Sequence, residues 1–282
     1  MHEIVSEDKT ERLLESNCTK IGEHLYIRKG TGIDIEPEID GDIQVVFSMG
    51  GRGTRLKHIT NDKYSKHLIK VHGKPLSRYA LEMWSENGFK NFLILVDDTY
   101  IGDSVREYYK NGDEIGAVIN YSIEHSKLGS GGAIKYAKDH GLITKAYINH
   151  YPDDIIINYP NFAHDFVRVF LSAIKSGYQC VVLCVPGKLY PYGVVMDKDG
   201  KVTDFIEKPF IAMDTNTGIY GMNTDAFGLI DGIEPDKEVK IERTVMKGIA
   251  KSDKMLKVLI PTEYWIPVND EPNLNKFREI LG

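Results

Sequence analysis

Cysteine is scarce. Cys18, Cys180 and Cys184 are the three in 282 residues, an odd set that offers no disulfide framework and, with no His cluster beside it, no zinc site. Cys180 and Cys184 lie four apart in a β-branched run, which puts both on one face of a strand, where core packing is expected. No stretch reaches the roughly 18 consecutive apolar residues of a membrane span, and the first residues lack the apolar core of a signal peptide. An excess of positive charge is missing too. Lys and Arg number 35 against 41 Asp and Glu, a formal net charge of −6, and the basic residues are dispersed. Nucleic-acid and acidic-membrane surfaces are thereby disfavoured. Repeats, low-complexity tracts and long linkers are also absent. A cytoplasmic protein is expected, and with 42% hydrophobic residues it is long enough for one large α/β domain.

What is present centres on Val45 to Leu56, VVFSMGGRGTRL. The apolar run reads as a buried strand, and the glycines after it as a turn that brings backbone close to something. Lacking Cβ atoms, Gly50, Gly51 and Gly53 can direct N–H groups at an anion, with Arg52, Arg55 and Lys57 adding positive charge. No Gly-Lys-Ser/Thr follows, so this is not a P-loop. The third glycine of a dinucleotide fingerprint would fall on Leu56, so it is not that either. Of the nearby histidines, His58, His67 and His72 read as solvated loop residues.

Beyond the loop, short apolar runs alternate with amphipathic stretches. Helical spacing covers Leu76 to Trp84, and a strand from Phe92 to Val96 precedes a polar helix. Strands near Ala117 to Ile123 and Ala146 to Asn149 flank a helix from Gly131 to Lys138. This order predicts an α/β fold, Rossmann-like, with a mostly parallel mixed sheet covered by helices on both faces, and ligands at the strand C-termini. Asp97-Asp98 reads as a helix N-cap. A hairpin is expected where Asp197 to Gly200 joins Gly193–Met196 to Val202–Ile206. A helix from Ile241 to Ala250, a strand from Met255 to Ile260 and a helix from Glu271 to Leu281 complete the chain. Residues 1–42 read as an N-terminal extension, with a helical stretch from Ser6 to Glu15 and an extended one from His24 to Ile35, suited to a packed appendage or a dimer contact.

From Ile43 onward the motifs resemble those of the sugar-1-phosphate nucleotidyltransferases, in order. Gly50 to Leu56 is similar to their G-G-x-G-T-R-L. Ser65-Lys66-His67-Leu68 looks like P-K-P-L, and Val71 to Leu76 like V-x-G-K-P-L. Leu128 to Ala133 is similar to L-G-T-G-G-A, and Pro152-Asp153 to a strand-end Gly-Asp. Tyr192-Gly193-Val194-Val195, Glu207-Lys208-Pro209 and Asn216 to Tyr220 follow. The run through Glu124 and Leu128 looks most like the mannose- and heptose-1-phosphate guanylyltransferases.

The resemblance implies a GT-A-like nucleotidyltransferase domain over 43–282, its nucleotide half at 43–160 and its sugar-phosphate half at 161–282. It implies a nucleoside triphosphate and a sugar 1-phosphate as substrates, Mg²⁺ as cofactor and a homo-oligomer. Met49, Gly50, Gly51, Gly53, Thr54, Glu124, Gly129 and Ser130 would bind the nucleotide, with Arg55 on the departing pyrophosphate and Lys66 on the α-phosphate. Gly193, Glu207, Lys208, Asn216 and Thr217 would bind the sugar phosphate, and Asp153 the metal. Mg²⁺ takes one or two carboxylates beside substrate phosphates, and strand alternation would turn Asp154 away from Asp153.

The chain departs from the family at W-x-D-x-G, whose aspartate is the second metal ligand, because here Trp265-Ile266-Pro267 puts proline there. Asp270 or Asn269 reaches in from a shifted register, or one carboxylate suffices, or activity has been lost. Glu124, ionised, accepts from the N1–H and N2–H₂ of guanine better than it meets uracil or thymine, which favours GTP. The competing readings are a non-catalytic nucleotide-sugar-binding regulator and a cytidylyltransferase for a phosphorylated non-sugar.

Overall fold

The computed structural model describes residues 3–4, 14–36, 38, 42–51, 53–234 and 237–282. Among them, runs rich in β-branched and aromatic residues form one nine-stranded sheet. Its strands are β1 Cys18–Ile21, β2 Leu25–Arg28, β3 Gln44–Ser48, β4 Asn91–Asp97, β5 Val118–Glu124, β6 Ala146–His150, β7 Cys180–Val185, β8 Thr215–Asn223 and β9 Met255–Leu259. They lie in the order β1-β2-β9-β7-β8-β6-β3-β4-β5. β3 is parallel to both β4 and β6, β4 to β5, and β7 to β9, while β8 runs antiparallel between β6 and β7. The expected mixed, mostly parallel sheet is what forms.

The longer helices among the described residues are α1 Leu76–Glu86, α2 Tyr100–Tyr109, α3 Gly129–Asp139, α4 Phe162–Lys175, α5 Val245–Lys251 and α6 Glu271–Leu281. Alternation along each strand feeds two cores, which is why the strands read as continuous apolar runs. Val45, Phe47, Phe92 and Ile94 pack with Trp84 of α1, Phe166 of α4 and Phe277 of α6. Val46, Leu93 and Leu95 pack on the other face with Ile134 of α3 and Ile249 of α5. Cys180 and Cys184 are both free and buried in this second core, as their spacing requires. Among the described residues no helix is long and apolar enough to cross a membrane.

β1 and β2 come from the N-terminal extension and lengthen the sheet, Ile27 pairing with Val258 and Tyr26 with Leu259. Their turn is anchored to α4: Gly22 has φ +60° and faces the Asp165 carboxylate, where a Cβ would collide, and His24 stacks on Tyr264 with ring centroids 4.2 Å apart. Most of the stretch from Ser6 to Glu15 lies outside the described residues. The hairpin pairs Val194–Lys198 with Lys201–Ile206, and Asp199 and Gly200 both have positive φ, the geometry that suits a two-residue hairpin turn. The helix expected from Ile241 is broken. Ile241–Arg243 forms a 3₁₀ turn and α5 starts at Val245, because Thr244 at φ −120°, ψ −83° interrupts the helical backbone.

Candidate active site

The chain runs outward from β3 through β4 to β5, then crosses back to place β6 on the other side of β3. Loops leaving β3 and β6 therefore diverge, opening a crevice at the C-terminal ends of adjacent parallel strands. A cleft of about 400 Å³ lies there, lined by Ser48, Gly50, Gly51, Lys66, His67, Glu124, Gly129, Ser130, Asp153 and Asp154 among others. Its size suits a small ligand.

The glycine loop is shaped by two left-handed residues, Gly51 at φ +111° and Gly53 at φ +54°. A Cβ on Gly53 would fall 2.8 Å from Lys66 Cβ, so glycine here lets the loop lie against the lysine stem. The amides of Met49 and Gly50 both donate to the Leu95 carbonyl (2.9 and 3.0 Å); Met49 itself is buried in the core. Those two amides tie the loop to β4. Thr54 and Arg55 sit exposed in a 3₁₀ turn, and Arg52 lies outside the described residues.

Lys66 begins a 3₁₀ turn capped by Ser65, and its ammonium donates to Asp153 Oδ2 across 87 residues of sequence. Burial is the largest influence on the Asp153 carboxyl and would raise it, but the Lys66 charge, His67 and the hydrogen bonds from Lys66 and the backbone together outweigh it and hold the group below the usual carboxylate range. Asp154 moves the other way, raised well above its ordinary value by burial and then by the Asp153 charge. Of the adjacent pair, Asp153 ionises first. Alternation was expected to separate them, yet both line the cleft. Strand geometry starts at Asp154; Asp153 lies in the preceding turn, where period two does not apply. Trp265 Nε1–H donates to Asp154 Oδ1 at 3.0 Å.

His67 is not the solvated residue its loop position predicted. It is 2% exposed, burial lowers its pKa to about 3, and its Nδ1 has no hydrogen-bond partner among the described residues. Glu124 at the end of β5 faces Gly50, and its pKa is raised to about 7 by burial and then by Asp97. Glu124 Oε2 and Ser48 Oγ are likewise buried without hydrogen-bond partners among the described residues. Orphaned buried polar atoms are rare in folded proteins, and three of them line this one cleft, as a site built to receive a polar ligand would have. The N-cap expected at Asp97-Asp98 falls one residue later, on Thr99, whose side chain accepts from Ile101 N–H; Asp97 supports that start, its Oδ1 accepting from the Thr99 hydroxyl and from the Gly102 amide of α2.

One wall was missed by the sequence reading. Residues 237–241 cross the N-terminus of α3 as a strap: Val239 N–H donates to the Leu128 carbonyl (2.7 Å) and Gly131 N–H to the Val239 carbonyl (2.8 Å). A Cβ on Gly129 would lie 2.7 Å from Val239 O, at φ +71°, so that glycine serves the strap. Ser130 Oγ accepts from Ile241 N–H at 3.1 Å. The strap brings Glu238 and Lys240 to the cleft, and Lys127 pairs with Glu238 at 3.1 Å. Tyr151, also lining it, donates to Glu242 at 3.2 Å. Charged loop residues so far apart in sequence carry no short motif that could have flagged them.

A family model described as nucleotidyl transferase matches residues 45–270, which spans the glycine loop, Lys66, both aspartates and the strap. The chain belongs to the nucleotidyl transferase family. It is 30% identical over 189 residues to a D-glycero-α-D-manno-heptose 1-phosphate guanylyltransferase of Campylobacter jejuni, covering 66% of this chain and 78% of that one. It is 27% identical over 229 residues to the catalytic subunit β of mannose-1-phosphate guanylyltransferase of Drosophila pseudoobscura, covering 80% of this chain and 58% of the relative. Thus the chain spans little more than half the length of the second. Among solved structures it is similar in fold to a UDP-glucose pyrophosphorylase bound to UDP-glucose (TM-score 0.61, 19% identity, covering 86% of this chain and 98% of that one). It is also similar to HddC from Yersinia pseudotuberculosis (TM-score 0.62, 21% identity, covering 85% and 100%).

Within this nucleotidyl transferase the departure at Pro267 has a structural answer. Trp265–Pro267 pairs antiparallel with Asp154–Ile156, so that Pro267 stands opposite Asp154. Asp270 is instead the N-cap of α6, its Oδ1 accepting from Asn273 N–H at 3.0 Å, and it is not among the residues lining the cleft. Asn269 Oδ1 accepts from Arg55 Nη1 at 3.3 Å, and His58 donates to Glu271 at 2.9 Å; together they fasten the glycine loop to the start of α6. Among the described residues no three His, Cys, Asp or Glu side chains converge as a metal cage. Two adjacent carboxyl side chains lining the cleft of about 400 Å³ nevertheless fit Mg²⁺, which is held by few protein oxygens and several from substrate and water.

The residues read for the sugar phosphate gather less closely. Glu207 and Lys208 are exposed in a bend beyond the hairpin, Lys208 at φ +45°, outside strand geometry. Glu207 Oε2 and the Phe205 ring close on Gly193, where a Cβ would lie 3.0 and 2.7 Å from them. Asn216 donates to Tyr220 OH and accepts from Gly218 N–H. Thr217 is buried and turned into the sheet, its hydroxyl donating to the Leu183 carbonyl at 3.0 Å. Its side chain is therefore engaged away from the cleft.

Proposed function

We propose that this nucleotidyl transferase moves a guanylyl group from GTP to a sugar 1-phosphate in the cytoplasm, releasing pyrophosphate, with Mg²⁺ as cofactor. The observation that carries the reading is the Lys66–Asp153 pair set beside the glycine loop at the point where the sheet reverses direction. In-line attack of the sugar-phosphate oxygen on the α-phosphorus brings two polyanions together, so charge neutralisation and positioning carry the catalysis.

The glycine loop gives the triphosphate a surface without Cβ atoms, and Lys66 neutralises the α-phosphate. Arg55, released from Asn269, meets the departing pyrophosphate. Asp153 and Asp154, rather than Asp270, are the carboxylates for Mg²⁺; when bound, it supplies charge neutralisation and fixes the phosphate oxygens. Ionised Glu124 accepts from the guanine N1–H and N2–H₂. Glu207, Lys208 and Gly193 grip the sugar phosphate from the hairpin. Exposed Tyr192, Val195, Val202 and Phe205 on that arm support a homo-oligomer.

The test is pyrophosphate release by Lys66→Ala and Asp153→Ala with GTP and sugar 1-phosphates. Loss in both supports the reading, and wild-type turnover in both removes it. The regulator reading rests on Pro267; it expects nucleotide-sugar binding with no pyrophosphate from any pair.

A further inference from the structure

The turn carrying Asp153 and Asp154 hangs from a buried histidine that the reading above does not use. Trp84 Nε1–H, on α1, donates to His150 Nδ1 at 2.9 Å, and His150 Nε2 lies 2.7 Å from the Asp154 carbonyl oxygen. Trp84 and His150 are both fully buried. An indole N–H can only donate, so Nδ1 is the bare nitrogen and the proton sits on Nε2, directed at the carbonyl. The tautomer is thus set by α1.

The turn is closed from other sides by Asp154 N–H donating to the Tyr151 carbonyl (2.9 Å) and Val268 N–H to the Asp153 carbonyl (2.7 Å). Trp84 is itself fixed by edge contacts with Phe89 and Phe162, centroids 5.6 and 6.1 Å away. A rigid chain therefore runs from the core of α1 through an imidazole to the backbone between the two carboxylates and the strand that follows. Groups that orient metal-binding carboxylates in this way commonly change metal affinity when altered.

We propose that His150, its tautomer imposed by Trp84, is a positioning residue that sets the Asp153–Asp154 turn for binding a divalent cation. This rests on the reading of those carboxylates as the metal pair.

The test is binding of Mn²⁺ alone to the full chain, followed by water-proton relaxation, in wild type, His150→Phe, His150→Gln, Trp84→Phe and Asp153→Asn. Circular dichroism confirms folding. His150→Phe keeps a ring against Phe47 and removes both hydrogen bonds; it is expected to weaken Mn²⁺ by about tenfold. Trp84→Phe is expected to weaken it in the same direction by less. His150→Gln, which keeps a donor within reach of the carbonyl, stays nearer wild type, and KM for the sugar 1-phosphate is unchanged throughout while kcat falls.

Wild-type Mn²⁺ affinity in His150→Phe and Trp84→Phe, with weakened binding in Asp153→Asn, overturns the proposal and leaves the carboxylate reading standing. Wild-type affinity in Asp153→Asn overturns that reading and the proposal with it. Should His150→Phe not fold, Trp84→Phe decides, and unchanged affinity there counts against the proposal.

Discussion

Lys66 and Asp153 meet although 87 residues separate them, and each was legible because it stands in a short motif at a strand end or loop. Replacing either with alanine should lower turnover by about 10²–10³-fold, the scale of removing one preorganised charge contact to a transition state, with circular dichroism unchanged. Glu124 gives a pH signature. Its pKa, raised to about 7, lies in the working range; on the proposed role, the ionised carboxylate offers both oxygens as acceptors to guanine N1–H and N2–H₂ whereas the protonated one turns one oxygen into a donor, so GTP binding should strengthen as pH rises and level off above that value. Between pH 8 and pH 6 the Kd for GTP should rise about tenfold. Titration calorimetry in the absence of metal checks this, and Glu124→Gln should flatten the excess over the triphosphate's own ionisation. What residue-level reading could not reach was the burial of His67 or the orphaned Ser48 hydroxyl, because exposure is a property of neighbours distant in sequence.

Local periodicity found β3, β4, α1 and the hairpin within a residue or two, since an apolar run or an Asp-Gly turn is written in consecutive residues. It missed the strap at 237–241, whose partners Leu128 and Gly131 are more than 100 residues away, and the joining of β2 to β9, more than 200 residues apart. At this scale Gly129→Ala should dislodge the strap, since its Cβ would lie 2.7 Å from the Val239 carbonyl. The expected outcome is a several-fold rise in KM for GTP, measured by steady-state kinetics, with β-sheet circular dichroism retained. Asp270 tests element against chemistry. As the N-cap of α6, its change to alanine should cost about 1 kcal/mol of stability in urea unfolding and leave the Mg²⁺ concentration for half-maximal activity unchanged. Asp154→Asn should instead raise that concentration by about tenfold or more.

Over the whole molecule, the reversal of strand order about β3 places the glycine loop and the Asp153–Asp154 turn side by side. The alternation of strands and helices predicted such a crevice, and the family motifs named several of the residues that line it, Gly50, Gly51, Lys66 and Asp153 among them. The sequence order alone did not reveal that the N-terminal residues would lengthen the same sheet, nor that Asp154 rather than Asp270 would share the cleft with Asp153. The residues read for the sugar phosphate are scattered, Glu207 and Lys208 exposed beyond the hairpin and Asn216 and Thr217 on β8 with Thr217 buried, and no short motif encodes such a spread. The measurement that bears most directly on the account is pyrophosphate release from GTP, UTP, CTP, dTTP and ATP against a panel of sugar 1-phosphates, with Mg²⁺ and with EDTA. The account predicts one sugar 1-phosphate turned over with GTP well above the other nucleotides, abolished by EDTA. Release that persists in EDTA, or silence across the whole matrix with nucleotide-sugar binding retained, would contradict it.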